Sequence, residues 1–374
     1  MNRALHIVVS LSAVLLTGIQ TTSFAGSNPS PANIFKNTRY IYSANQAAHN
    51  LSAFKITPVT GKLLQLKGSP YKTGRYPVSV VTSPNGKFVY VADQGSASVS
   101  AFSVDELDGT LTEVKGSPFS VGKYPDAVIV HPNGKYLYVT NENAYQVRAF
   151  SINPETGALT PIDKPVKTGK HPISIKISHN GKFAYVSNFY GASISVYRIN
   201  LRTGQLHRSA PNAKTDDRPI YTTLSPDDKF LYSSNYGSVN VSGFTVNQKT
   251  GGLTEIKGSP FAAGAQPYSV TTDKKGRFLY AANWGSHDVS AYTIDHKTGQ
   301  LHEVKGSPFY TGWFPYAVVV DDNSPYVYVA NNGEGTISAF LENEKTGALK
   351  KVHGSPFITE LGPYSLIIDK FASN

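Results

Sequence analysis

Seven prolines, Pro77, Pro125, Pro172, Pro219, Pro267, Pro315 and Pro363, recur at intervals of 47 or 48 residues. Self-similarity at such a period commits a chain to an array, because one supersecondary unit must bury its apolar face against its own copies. Each unit passes the same stations. In one, Tyr124-Pro125 leads into an apolar strand, Asp126 to Val130, which a Pro-Asn-Gly-Lys turn ends at Pro132 to Lys135. Tyr136 to Asn141 follows, then a loop, then Gln146 to Ile152, and a Thr156-Gly157 hairpin leads into a last strand from Ala158. Four short β-branched and aromatic runs, each bounded by Gly, Pro, Asn or Asp, read as a four-stranded antiparallel meander. The turns at Asn85-Gly86, Asn133-Gly134 and Asn180-Gly181 supply residues that tolerate positive φ.

Seven such meanders predict an all-β, seven-bladed β-propeller. The first unit, Tyr40 to Gly74, lacks the Pro-led first strand, and the last, Pro363 to Ile368, is that strand and little else. Together they make one blade, so the C-terminal strand should close the ring beside the N-terminal strands. Composition agrees: 23 Tyr and 18 Phe against one Met and two Trp favour strands. With no cysteine, disulfides and thiol chemistry are excluded, and closure of the fold must do that stabilising work.

The ends divide the chain further. Arg3, the mostly apolar stretch Leu5 to Ile19 and the small-residue site Ser23-Phe24-Ala25 read as a signal peptide, residues 1–25, cleaved after Ala25. That stretch falls short of the roughly 20 apolar residues of a membrane anchor, so the mature chain is expected to lack a transmembrane segment. Residues 26–38 read as a short leader and 39–374 as the propeller, a periplasmic or secreted monomer.

Tyr138-Val139-Thr140-Asn141 spells the tetrapeptide of the YVTN repeat, and Tyr90-Val91-Ala92-Asp93, Tyr185-Val186-Ser187-Asn188 and Tyr328-Val329-Ala330-Asn331 vary it. With the Ser-Pro-Asn/Asp turns (Ser83-Pro84-Asn85, Ser225-Pro226-Asp227) and Thr-Gly-x-Leu hairpins (Thr203 to Leu206, Thr298 to Leu301), residues 40–374 resemble the lactonase-type seven-bladed propellers. That group includes 6-phosphogluconolactonases, carboxymuconate-cyclising enzymes and propellers without established catalysis. Its phosphogluconolactonase-like members carry His directly after the strand-opening Pro, or in a Pro-Arg-His run. Here those positions hold Val78, Asp126, Ile173, Ile220, Tyr268, Tyr316 and Tyr364.

Pockets in closed β architectures favour channel mouths. The residues just before each Pro are therefore expected to ring one mouth, with Arg75, Lys123, Lys170 and Arg218 as cations and Gln266, Trp313 and Phe314 opposite. Trp284, in an inner loop, should share that face. Such a ring suits an anionic small molecule or partner on one side and a stacked ring on the other. A second signal is a broken pattern. Gly-Ser-Pro closes the fourth strand in five units, and the exceptions, Asp163-Lys164-Pro165 and Ser209-Ala210-Pro211, precede His171 and Arg218.

Two functional readings follow. One is a propeller that binds an anionic ligand at this mouth. The other is a lactone-hydrolysing or lactone-forming enzyme in which His171 moves the proton and Arg218 stabilises oxyanion charge. No cofactor is expected, and ten scattered His give poor metal-ligand spacing. The net charge of +10 suits an anionic cell-surface polymer, but without a dense Lys/Arg run the specific nucleic-acid signal is weak. A residue type repeated in every blade, as with Asn141 and its equivalents, reads as structural.

Overall fold

The computed structural model describes residues 39–369, and the expected signal peptide and leader lie outside this range. Seven antiparallel sheets form the seven blades of a propeller. Counting from the first complete one, blade one comprises Pro77–Thr82, Phe88–Asp93, Ser98–Val104, Leu111–Glu113 and Phe119–Ser120. The Pro-led first strands of neighbouring blades touch one another around the channel, and the fourth strands lie outermost. Blade seven is the composite: Pro363–Ile368 pairs antiparallel with Arg39–Asn45, Ile41 opposite Ile368 and Ser43 opposite Leu366. Arg39 seals the seam from beneath, its Nε 3.2 Å from Asp369 Oδ1 and its Nη1 3.6 Å from Asp321 Oδ1.

The tetrapeptide explains how blades hold each other. Its tyrosine, at positions 42, 90, 138, 185, 232, 280 and 328, is fully buried in every blade. In five blades its hydroxyl crosses to the next blade and donates to the carbonyl of the Thr-Gly hairpin glycine, as in Tyr90 to Gly157 (2.9 Å) and Tyr138 to Gly204 (2.8 Å). Two residues earlier, a second aromatic lies flat against the same glycine. A Cβ on Gly157, at φ +74°, would sit 2.4 Å from the Phe88 ring. The hairpin glycine is therefore required twice, for its φ and for the ring that covers it.

The Gly-Ser-Pro stations have a comparable local role. In five blades they split the fourth strand into a three-residue and a two-residue piece, and the Ser Oγ accepts a third-strand N–H, as from Ala101 to Ser117 (3.0 Å). Without the motif, blades two and three carry one continuous outer strand of nine residues, Leu159–Lys167 and Leu206–Lys214. The broken pattern before His171 and Arg218 thus changes an outer edge of the sheet.

Two stability measurements check this account. Tyr138→Phe should cost about 1 kcal/mol, the worth of one buried hydrogen bond. Tyr185→Phe should cost much less, since the Tyr185 hydroxyl is buried without a partner. Equal losses in urea melts would refute the inter-blade role of the hydroxyl. Truncation before Pro363 should abolish cooperative unfolding, because it strips the innermost strand from blade seven; a truncated chain that melts like the intact one would contradict ring closure by that strand.

Candidate functional site

The connectors between blades set the site. The residue before each strand-opening Pro is left-handed in all seven cases: Tyr76, Tyr124, His171, Arg218, Gln266 and Phe314 at φ 50–54° and Gly362 at 71°. Its carbonyl accepts the N–H of the residue that follows the tetrapeptide Asn or Asp, as from Glu142 to Tyr124 (3.0 Å) and from Phe189 to His171 (2.8 Å). The Asn or Asp is fully buried in every blade and bonds nearby side chains or connector backbone, Asn188 Nδ2 reaching Ser195 Oγ at 3.0 Å and Asn141 Nδ2 the Lys123 carbonyl at 3.1 Å. These repeated asparagines are structural ties.

A β-bulge comes next. Pro172 pairs with Asn188 but Ser174 with Ser187, which leaves Ile173 outside the ladder, and Pro267 and Pro363 repeat the arrangement with Tyr268 and Tyr364. A bulge re-aims a side chain. Here it turns the residue after the Pro into the channel, where it meets the residue after the Asn. These two stations line a cavity of about 260 Å³ at the mouth: Gln94, Asp126, Glu142, Ile173, Phe189, Ile220, Tyr236, Tyr268 and Tyr364.

The cavity has an acidic and an aromatic side. Gln94 Nε2 donates to Asp126 Oδ1 at 3.0 Å. Burial, with the Glu142 charge adding to it, holds the Asp126 carboxyl well above the usual carboxylate range. Glu142 Oε1 lies 3.0 Å from His171 Nδ1, and His171 Nε2 faces the Tyr145 hydroxyl at 3.3 Å. With the Tyr145 O–H donating to Nε2, Nδ1–H donates to the carboxylate, so His171 is fixed by its neighbours. Opposite stand Tyr268, Tyr316 and Tyr364, with ring centroids 4.3 Å (Tyr268 to Tyr316) and 4.6 Å (Tyr316 to Tyr364) apart. The hydroxyls of Tyr268 and Tyr364 bond each other. Burial raises the pKa of both phenols, so both remain neutral O–H donors.

None of the nine residues nominated from sequence lines this cavity. Two of them touch its walls through their side chains, and the Arg218 carbonyl accepts the Tyr236 N–H at 2.9 Å. His171 bonds Glu142, and Trp284 packs 6.1 Å from Tyr236 while stacking on Phe314 at 4.6 Å. Arg75, Lys123 and Lys170 are exposed on the rim, where Arg75 Nη2 donates to the Gly95 carbonyl at 3.0 Å. Arg218 Nε lies 3.6 Å from Asp217 Oδ2, half-exposed. Gln266 is half-buried beside the rim turns, and Trp313 faces solvent. The physical reason is the left-handed turn, which leaves the residue before the Pro on the rim while the following bulge points inward. The missed residues had a signal in the sequence: they are the variable neighbours of the invariant Pro and Asn stations.

The channel's other end holds a second cavity, of about 300 Å³, lined among others by Arg39, Lys176, His179, Asp273 and Lys274. Two of its charged or titratable groups, Arg39 and His179, are engaged in the fold. Arg39 seals the ring, and Asp228 holds His179 Nδ1 at 2.7 Å together with the backbone N–H groups of His179 and Asn180, tying adjacent turns.

The lactonase seven-bladed β-propeller family matches residues 67–173, 166–272 and 260–360. Solved structures share the architecture. A Bacteroides uniformis protein provisionally described as a 6-phosphogluconolactonase superposes with a TM-score of 0.79 at 21% identity, over 88% of this chain and 99% of its own. A Bacteroides fragilis protein of the same description gives 0.77 at 22% identity, over 88% and 98%. The periplasmic gluconolactonase of Pseudomonas aeruginosa gives 0.75 at 17% identity, over 89% and 99%. No curated protein matches the sequence. By its family match and its seven closed blades, the chain belongs to the lactonase family of seven-bladed β-propellers.

Proposed function

We propose that this protein hydrolyses an uncharged sugar-acid lactone at the channel mouth. The observation that carries the reading is the acidic side of the cavity: Glu142, held by His171, shares it with Asp126, whose carboxyl burial holds well above the usual carboxylate range. Lactone opening needs a base for the attacking water and an acid for the departing ring oxygen. Glu142 takes a proton as the water oxygen bonds the carbonyl carbon. Asp126 protonates the ring oxygen as its bond to that carbon breaks, and a hydroxy acid results. Of the mutually bonded Tyr268 and Tyr364 hydroxyls one donates to the other, and the second is a neutral O–H donor for the carbonyl oxygen as charge develops on it. His171 is a positioning residue, and Arg218, ion-paired with Asp217, has no role in this scheme.

The cavity size suits one sugar ring. No Lys or Arg is among its lining residues, and a phosphorylated lactone would bring its charge against Asp126 and Glu142. The rim cations Arg75, Lys123 and Lys170 could serve an anionic ligand only from outside the cavity. Export, expected from residues 1–25, agrees with the periplasmic description of the Pseudomonas gluconolactonase. A sugar-acid lactone is a reasonable substrate in that compartment.

Initial rates of acid release, corrected for spontaneous opening, test the reading. Glucono-lactone should be turned over in preference to its 6-phosphate, and Glu142→Gln should lower kcat by about 100-fold, a typical worth for a general base. Full turnover in that variant, or preference for the phosphate, would refute it. Binding that stabilises the fold without turnover would favour the ligand-binding reading instead. Asp126 gives a separate pH test. Its raised folded pKa means that its contribution is present at low pH and lost as pH rises through that pKa. Asp126→Asn should therefore gain stability relative to wild type between pH 4 and pH 8; a pH-independent difference would place the carboxylate in water.

A further inference from the structure

The rim around the mouth divides into two halves. Two stations mark it in every blade: the last residue of the fourth strand, paired across to the start of the third, and the residue three positions later in the connector. Around the first half these stations carry Lys72 and Arg75, then Lys123, then Lys167 and Lys170, then Lys214, all exposed. Ala262 and Ala265 follow. The next two blades present Tyr310 and Trp313, then Ile358 and Leu361. These four are 74%, 61%, 82% and 70% exposed, well beyond what scattered surface apolar residues require. Tyr310 pairs with Asp288 and Ile358 with Thr336, so the same register puts both on the mouth side of adjacent blades. Acidic groups on the rim, Asp216, Asp217, Glu334 and Glu360, are fewer than its cations, to which Arg218 also belongs, while Asp126 and Glu142 lie inside the mouth.

We infer that this face docks on an anionic lipid bilayer, with Trp313, Leu361, Ile358 and Tyr310 entering the interface and the basic arc resting on headgroups. Two aliphatic side chains gain nothing from stacking on a sugar polymer, but they do gain from leaving water for acyl chains. Trp and Tyr suit the headgroup boundary. The neighbouring cations supply the charge complementarity that a weak apolar anchor needs for stable attachment. The docking face surrounds the channel mouth, so the bilayer would lie close to the substrate entrance.

Co-sedimentation tests this with a chain starting at residue 37, which retains the whole closed ring and lacks the apolar residues 5–19. Phosphatidylglycerol-containing vesicles should pull it down and pure phosphatidylcholine vesicles should not. The double variant Ile358→Ser/Leu361→Ser should bind about tenfold more weakly, and Lys123→Glu/Lys170→Glu should lose the preference for anionic vesicles. Lactone turnover in solution should be unchanged in the first variant, which separates failure here from failure of the enzymatic reading. The inference is overturned if anionic vesicles leave the protein in the supernatant. It is also overturned if the apolar variant sediments as wild type does, or if only a soluble acidic polysaccharide binds and does so equally in both.

Discussion

The clasp between neighbouring blades is the constraint on which the rest of the molecule depends. An aromatic residue covers the hairpin glycine of the next blade, and the tetrapeptide tyrosine, two residues on, reaches the same glycine's carbonyl. Tyr328 makes the last such bond onto Gly61, so the clasp passes into the composite blade and around the ring. The ring over the glycine recurs at all seven joints and the hydroxyl bond at five, and together they hold a ring that has no cysteine to cross-link it. It also acts at the outer hairpins, away from the channel. The inner ends of the blades are therefore free to differ from one another.

That separation explains where chemistry collects. The Pro that opens each blade and the buried Asn or Asp opposite it are constant because the connector needs a left-handed turn, a bulge and a tied loop. Their immediate neighbours carry no such duty. After the Pro, Val78 and Asp126 give way to Ile173 and Ile220 and then to Tyr268, Tyr316 and Tyr364, and after the Asn or Asp stand Gln94, Glu142, Phe189 and Tyr236. An acidic side and a phenolic side result from one repeated backbone. The raised pKa of Asp126 is a consequence of its position: a carboxyl enclosed by the channel wall and set beside Glu142 holds its proton to higher pH than an exposed one.

The fold was legible in the sequence almost completely. Period, turn residues and the divided first and last units led to seven blades and the correct closing strand, Pro363–Ile368. The candidate cavity lies at the channel mouth to which the sequence pointed, and His171 and Trp284 lie against its walls. Its lining was not legible, because periodicity locates a station without stating where its side chain points. A left-handed residue followed by a bulge moves the inward position from Lys170-His171 to Ile173, and from Lys123-Tyr124 to Asp126. Cations that look like a ring in the sequence consequently lie on the rim, while two carboxylates face the cavity. The interrupted Gly-Ser-Pro pattern was real, but it governs strand continuity at the outer edge.

On the reading proposed above, the residues after the Pro and after the Asn form the ligand site. A crystal structure of the protein soaked with gluconate, the product of the proposed reaction, tests it most directly. One sugar acid should occupy the mouth cavity, its carboxyl end near Asp126 and Glu142 and its carbon chain against Tyr268 and Tyr364. Occupancy confined to the rim beside Lys123 and Lys170, or to the cavity at the Arg39 end of the channel, would contradict it.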